Sequence, residues 1–163
     1  MTIRPATAGD AKGIAQIANH YIRETTVTFN AIEKTVEDVT KGLRTQSAAG
    51  YPFLVAEDAG SVVGYATYGQ FRKGSGYART MENTVMLDPT AQHRGHGRKL
   101  MAALEAHAAA RGVHSMIAGI SAENTPAVMF HLALGYTEVG RVAQSGYKFD
   151  RWIDLILLQK HLS

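Results

Sequence analysis

Two stretches of this chain carry residues whose types and spacing could do chemistry. One is Gln92-His93-Arg94-Gly95-His96-Gly97-Arg98. It follows Glu82-Asn83-Thr84-Val85-Met86-Leu87, which reads as a strand stopped by Asp88-Pro89. It opens a segment in which Leu100, Met101, Leu104 and Ala108 recur at helical spacing as far as Gly112. A strand, a glycine-punctuated loop bearing arginines and a helix N-terminus together make a place to bind phosphate. The glycines let main chain come close, free N–H groups point outward, and the helix dipole favours an anion. Two commoner phosphate loops are excluded: no Gly-Lys-Ser/Thr follows, and Leu100 stands where Gly-x-Gly-x-x-Gly needs its last glycine.

The other stretch is the strand Thr80 to Leu87 itself, in which Glu82 is the one carboxylate. A carboxylate there must face solvent or a cleft, or be paired. Alternation puts it on one face with Thr80, Thr84 and Met86. In a partly apolar cleft it could act as a general base. Further along, Asn124 precedes Thr125-Pro126 in the manner of a helix cap, and His131 stands on the same helix, four residues before Gly135. The loop Phe71 to Arg79 carries Arg72, Lys73, Tyr77 and Arg79. A guanidinium there could clamp a carboxylate bidentately, which a lysine cannot copy.

The elements that must position these residues are legible in order. Thr2 to Arg4 reads as a short strand, and Asp10 as the cap of a helix from Ala11 to about Glu24 with Ile14, Ile17, Ala18 and Tyr21 on one face. Thr25 to Phe29 breaks that helix, and Thr35 starts another towards Ala48. Phe53 to Ala56 and Val62 to Tyr68 form a hairpin around Asp58-Ala59-Gly60-Ser61. Thr80 to Leu87, the helix to about Arg111, and a strand His114 to Ile120 follow. Thr125-Pro126 then caps and opens a helix closing at Gly135, and Tyr136 to Val142 and Trp152 to Leu158 are the last strands, with Trp152 in the core. The order β-α-α-β-β-β-α-β-α-β-β predicts an α/β protein with a mixed sheet and helices on both faces.

Composition narrows the classes. A length of 163 residues suits a single domain spanning 1–163, and no apolar run approaches the roughly 20 residues that cross a bilayer. The N-terminus carries no signal-peptide pattern, so a cytoplasmic protein without a membrane partner is expected. The absence of cysteine excludes disulfides, Cys-ligated zinc and a thiol nucleophile. A net charge of +3, scattered apart from Arg94, Arg98 and Lys99, suits a small polyanionic ligand better than nucleic acid. His93, His96, His107 and His114 show no metal-ligand spacing, so no metal is expected.

Gln92, Gly95 and Gly97 match the Gln/Arg-x-x-Gly-x-Gly/Ala pattern of the acetyl-CoA pyrophosphate loop of the GCN5-related N-acetyltransferases (GNAT), and the element order resembles theirs along nearly the whole chain. Thr80-Met81-Glu82-Asn83-Thr84-Val85 resembles the Thr-Val-Glu-x-Ser/Thr-Val of the phosphinothricin and methionine-sulfoximine acetyltransferase branch. The resemblance implies acetyl-CoA as co-substrate, held by Gln92 to Arg98, Asn124 and main chain of Val85, Met86 and Leu87, with a backbone N–H there to stabilise the oxyanion. It implies Glu82 as the base for an attacking amine and His131 as acid or second base. Phe29, Arg72, Lys73, Tyr77, Arg79, Asn83 and Thr84 would meet the acceptor, and Lys148 is a further candidate for either ligand. An amino-acid-like acceptor and a homodimer are implied too. One departure bears on the acceptor: Ala78 stands where the branch has a second Arg, with Arg79 one step on, and one step along a strand turns a side chain to the other face. A polyamine, an aminoglycoside or a protein amine remains open as acceptor, as does a non-catalytic acyl-CoA-binding module.

Overall fold

The computed structural model describes residues 1–163. Strands β1 (Thr2–Pro5), β2 (Phe53–Asp58), β3 (Ser61–Gln70), β4 (Thr80–Leu87), β5 (Ser115–Ser121), β6 (Thr137–Lys148) and β7 (Arg151–His161) form one seven-stranded sheet in the order β1-β2-β3-β4-β5-β7-β6. Helices α1 (Ala11–Glu24), α2 (Val36–Ala48), α3 (His96–Ala110) and α4 (Thr125–Ala133) complete the element order expected from the sequence.

The helices cover both faces because two sets of apolar side chains need burial on opposite sides of the sheet. Leu100, Met101, Leu104 and Ala108 of α3 are fully buried against Ala66, Met116 and Leu158 on one face. On the other, Ile14, Ile17, Ala18 and Tyr21 of α1 pack on Val55 and Tyr65. Adjacent residues Tyr65 and Ala66 of β3 fall in different cores, as strand alternation requires.

Neighbouring strands are antiparallel except β4 and β5, which run parallel. Their pairing covers only Thr80–Glu82 against Ser115–Ile117. Beyond Glu82, β4 keeps β3 on one side and has no strand on the other, while β5 stays paired with β7 as far as Ser121. The sheet therefore opens in its middle.

Several local expectations are corrected. Asp10 holds the N-cap position of α1 but makes no side-chain capping bond to it: its carboxylate accepts from the Thr7 N–H at 2.7 Å and from Arg4 at 2.8 and 2.9 Å, and the Arg4 guanidinium pulls its pKa down to about 2. Of the two cap positions read from the sequence for α4, Asn124 rather than Thr125 is the cap, its Oδ1 accepting from the Ala127 N–H at 3.3 Å. Strand β6 runs six residues past Val142, through an irregularity at Gln144 (φ 51°) that the polar Gln-Ser-Gly sequence hides. It returns into β7 through Phe149 and Asp150, both at positive φ as a two-residue hairpin demands. Trp152 is not core: it is 60% exposed, its ring 4.9 Å from that of Tyr147.

Truncating a fully buried side chain under the sheet leaves a cavity the packed core cannot close. Leu104→Ala is expected to destabilise the protein by about 2–5 kcal/mol, read as a lower urea midpoint at unchanged slope.

Candidate active site

Between the separated strands lies a cleft of about 830 Å³, lined on one side by Asn83 to Leu87 of β4 and on the other by Ala118 to Ser121 of β5. Its far walls come from α1, α4 and the loop preceding α3.

Glu82 is the last β4 residue paired to β5, and it is half-buried with no hydrogen-bond or ion-pair partner in the chain. Its carboxylate lies against β5: a Cβ at Gly119 would stand 2.7 Å from Glu82 Oε2. Burial without a compensating cation pushes the Glu82 carboxyl above the usual carboxylate range. By alternation Glu82 shares the α1 face with Met86, which packs on the α1 core, whereas Asn83, Val85 and Leu87 belong to the face under α3 and α4.

At the far end of β4 the loop makes its turn with His93 at φ 63° and Gly95, the residue before α3, at φ 83°. Gln92, His93, Gly95, Gly97 and Arg98 line the cleft; Arg94 is exposed and stands outside the lining. His96 turns inward, 4% exposed, with neither ring nitrogen hydrogen-bonded and Nε2 3.9 Å from Asp58. Gly97 is closely packed: a Cβ there would press on the Leu87 and Phe130 side chains at 3.3 Å. The Gln92 side chain donates to the Tyr21 hydroxyl at 2.9 Å, and that hydroxyl donates to the Leu87 carbonyl at 2.5 Å. Of the three main-chain units predicted to face a ligand, Leu87 therefore already has its carbonyl engaged.

On the α4 side, Asn124 lines the cleft while capping its helix. His131 is 2% exposed, with Nδ1 2.9 Å from the Ala127 carbonyl and Nε2 3.4 Å from Asn83 Oδ1. Burial lowers its pKa from the ordinary histidine value. Asn83 and His131 are thus brought together from β4 and α4, on the opposite face from Glu82.

The end of the cleft beneath α1 and α2 is lined by Phe29, Lys34 and Thr84. Phe29 lies over Gly146 so closely that any side chain there would overlap its ring. Its segment is held by Lys148, 4% exposed, whose ammonium donates to the carbonyls of Thr25 (2.6 Å), Thr28 (2.8 Å) and Tyr21 (3.4 Å). All three of its protons are taken by main chain at the end of α1, so Lys148 is a support for Phe29 rather than a group free for a ligand. Arg72, Lys73, Tyr77 and Arg79 are exposed on the β3–β4 loop, Arg72 lying over the Tyr77 ring at 5.9 Å, and none of the four lines the cleft. Sequence reasoning missed Gly119, Lys34 and the Tyr21 hydroxyl. Gly119 had a signal, since glycine inside a strand marks close approach of another group; the other two had none.

A family model described as an acetyltransferase (GNAT) domain matches residues 3–157. The chain belongs to the GNAT acetyltransferase family. The L-methionine sulfoximine/L-methionine sulfone acetyltransferase of Salmonella typhimurium is 36% identical over 162 residues, covering 99% of this chain and 95% of that protein. The phosphinothricin N-acetyltransferase of Streptomyces viridochromogenes is 38% identical over 159 residues, covering 97% and 86%. A Salmonella typhimurium acetyltransferase solved with its cofactor acetyl-CoA superposes with a TM-score of 0.95 at 36% identity, over 99% of this chain and 94% of that one. This acetyltransferase takes acetyl-CoA as its co-substrate.

The residues present fit that ligand. The outer side of Gly95 is open, with nothing within 4 Å of a Cβ placed there, so the α3 N-terminus is accessible to phosphate. A free strand edge runs from it back towards Glu82, which adjoins the cleft at Asn83 and Gly119 without itself lining it. No group of three or more His, Cys, Asp or Glu side chains could hold a metal ion. Replacing Gly95 by valine puts a β-branched residue at positive φ and distorts the loop. The KM for acetyl-CoA is expected to rise about tenfold with the acceptor KM little changed, measured by steady-state kinetics.

Proposed function

We propose that the enzyme, acting as one catalytic domain, acetylates the amino group of a small amino-acid-like substrate of the methionine sulfoximine, methionine sulfone or phosphinothricin type, by direct attack with Glu82 as base. The observation that carries this reading is the unpartnered, half-buried Glu82 carboxyl at the point where β4 and β5 part. An amine at neutral pH is mostly ammonium, with a pKa of roughly 8 to 10.4. It must lose a proton before its nitrogen can attack, and a carboxyl of raised pKa in a partly apolar site takes that proton directly or through a water.

Acetyl-CoA supplies the thioester carbonyl. Gly95, Gly97, Gln92 and Arg98 would hold its pyrophosphate, the open edge of β4 from Val85 to Leu87 its extended arm, and Asn124 the far wall. Glu82 removes the amine proton from the α1 face. A backbone N–H on the open β4 edge steadies the charge that develops on the carbonyl oxygen. As nitrogen bonds to the acetyl carbon and the carbon–sulfur bond breaks, His131 gives a proton to sulfur from the other face. Phe29 and Thr84 border the acceptor end, and Lys34 supplies a cation there.

A homodimer belongs to the same reading. The β6–β7 end exposes Val139, Val142, Tyr147, Phe149 and Trp152, an apolar strip of the kind that marks an association surface. In a dimer, Arg72 and Arg79 would gain a route to the partner's cleft that they lack within one chain.

CoA release is expected with amines that bear a carboxylate and not with spermidine, an aminoglycoside or a peptide N-terminus; turnover confined to those cationic amines would reverse the acceptor assignment. Glu82→Gln should lower kcat by at least about a hundredfold while leaving acetyl-CoA binding intact. Its stability should move the other way. A carboxyl whose folded-state pKa is raised contributes stability while protonated and loses it as pH rises, so ionised Glu82 costs stability at pH 7 and glutamine removes that cost. A thermal melt at pH 7 should therefore place Glu82→Gln at or above the wild type, and a full-rate variant would remove Glu82 from the chemistry.

A further inference from the structure

Behind the cleft, Glu105, Tyr136, Asn83 and His131 form a continuous hydrogen-bonded chain whose polarity can be worked out from one end. Glu105 of α3 accepts at both oxygens, from Lys160 Nζ at 2.6 Å and from the Tyr136 hydroxyl at 3.0 Å. A carboxylate has no proton to give, so the single hydroxyl proton of Tyr136 is committed to Glu105. The Tyr136 oxygen must then accept, and Asn83 Nδ2 stands 3.4 Å from it. This fixes which way the amide points: Asn83 Oδ1 faces His131 Nε2, also at 3.4 Å. On the other side of the ring, Nδ1 lies 2.9 Å from the Ala127 carbonyl, which can only accept. Both ring nitrogens of His131 therefore face acceptors. Only the imidazolium satisfies both; a neutral ring sets a bare lone pair against an oxygen.

We propose that Tyr136, oriented by Glu105, is a positioning residue: it fixes the Asn83 amide with its oxygen towards His131 and so holds a proton on His131 Nε2. The charged and titratable groups on that side of the ring are Tyr136, between α4 and β6, and Glu105 from α3, with Lys160 from β7 behind them, its Nζ on Glu105 and 5.8 Å from the centre of the Tyr136 ring. Strand β4 presents the uncharged Asn83 and carries Glu82 on its other face. Burial of the ring is the larger influence and leaves its pKa below the ordinary histidine value, while the Ala127 carbonyl and the Glu105 charge act in the other direction. Of the roles open to His131, this frame selects the acid. Use of the proton in acetyl transfer rests on the function proposed above, whereas its place on Nε2 does not.

The test reads the His131 ring by NMR in the ligand-free protein over a pH series, its signals assigned by their loss in His131→Gln. Tyr136→Phe keeps the ring that fills the core and every charge in the chain, but frees the amide to turn and donate Nδ2 to a bare Nε2. His131 should then titrate about 1–2 pH units lower than in the wild type, the size of one hydrogen bond to a charged group. In the same variant kcat at neutral pH should fall about tenfold with the KM for acetyl-CoA unchanged. An unshifted His131 titration in folded Tyr136→Phe overturns the proposal. Should that variant not fold, Asn83→Ala, which takes the acceptor away from Nε2 and likewise keeps every charge, carries the same reading: a lower titration supports the proposal and an unchanged one overturns it. A shifted titration with unchanged kcat supports the hydrogen-bond chain and removes His131 from catalysis instead.

Discussion

The rest of the structure depends on one broken pairing. β4 and β5 hold together over Thr80–Glu82 and Ser115–Ile117 and then part. A parted pair of strands inside a sheet leaves main-chain groups without partners, a loss that must be offset by neighbouring side chains, solvent or a ligand. The chain answers with a hydroxyl from α1 on the Leu87 carbonyl and leaves the rest of the edge to the cleft. The same parting lets a carboxylate sit half-buried without an ion pair, because the gap beside Glu82 is neither core nor open surface. It also joins the two faces of the sheet at one place. In the function proposed above, a carboxylate on the α1 face and a histidine under α4 act on opposite ends of one bond-making event without standing side by side.

The frame of the fold was legible because periodicity was strong where burial is strongest. Leu100, Met101, Leu104 and Ala108 mark α3, and Ile14, Ile17, Ala18 and Tyr21 mark α1, and each of these side chains is buried in the structure. Strand β4 was legible in both bounds, since Asp88-Pro89 stops it and the loop before it is polar. Failures fall where sequence composition and burial disagree. The second half of β6 is polar and bulged, and it is a strand only because β7 pairs with it. Trp152 reads as core by type, yet lies on the exposed side of that hairpin.

The site divides along the same line. Glycine at 95 and 97, the carboxylate at 82 and the histidine at 131 carry local signals, because loop geometry, strand alternation and distance to a helix end are all written nearby in the chain. Contacts made across long stretches of sequence are not. Nothing near Lys148 announces that its ammonium closes the end of α1, and nothing near Tyr21 announces its bond to Leu87. Exposed Arg72 and Arg79 show the converse: residue type suggests a clamp, but within one chain the β3–β4 loop keeps them off the cleft.

Gly119 has a consequence for how this protein can vary. Its missing side chain is the space in which the Glu82 carboxylate rests. Positions 82 and 119, far apart in the chain and on different strands, therefore share one volume. A side chain at 119 makes the end of the Glu82 side chain shift from where it rests. Substitutions at the two positions will not combine additively, because they compete for the same volume. A side chain added at 119 therefore changes where the acid at 82 sits, from a position that carries no side chain of its own.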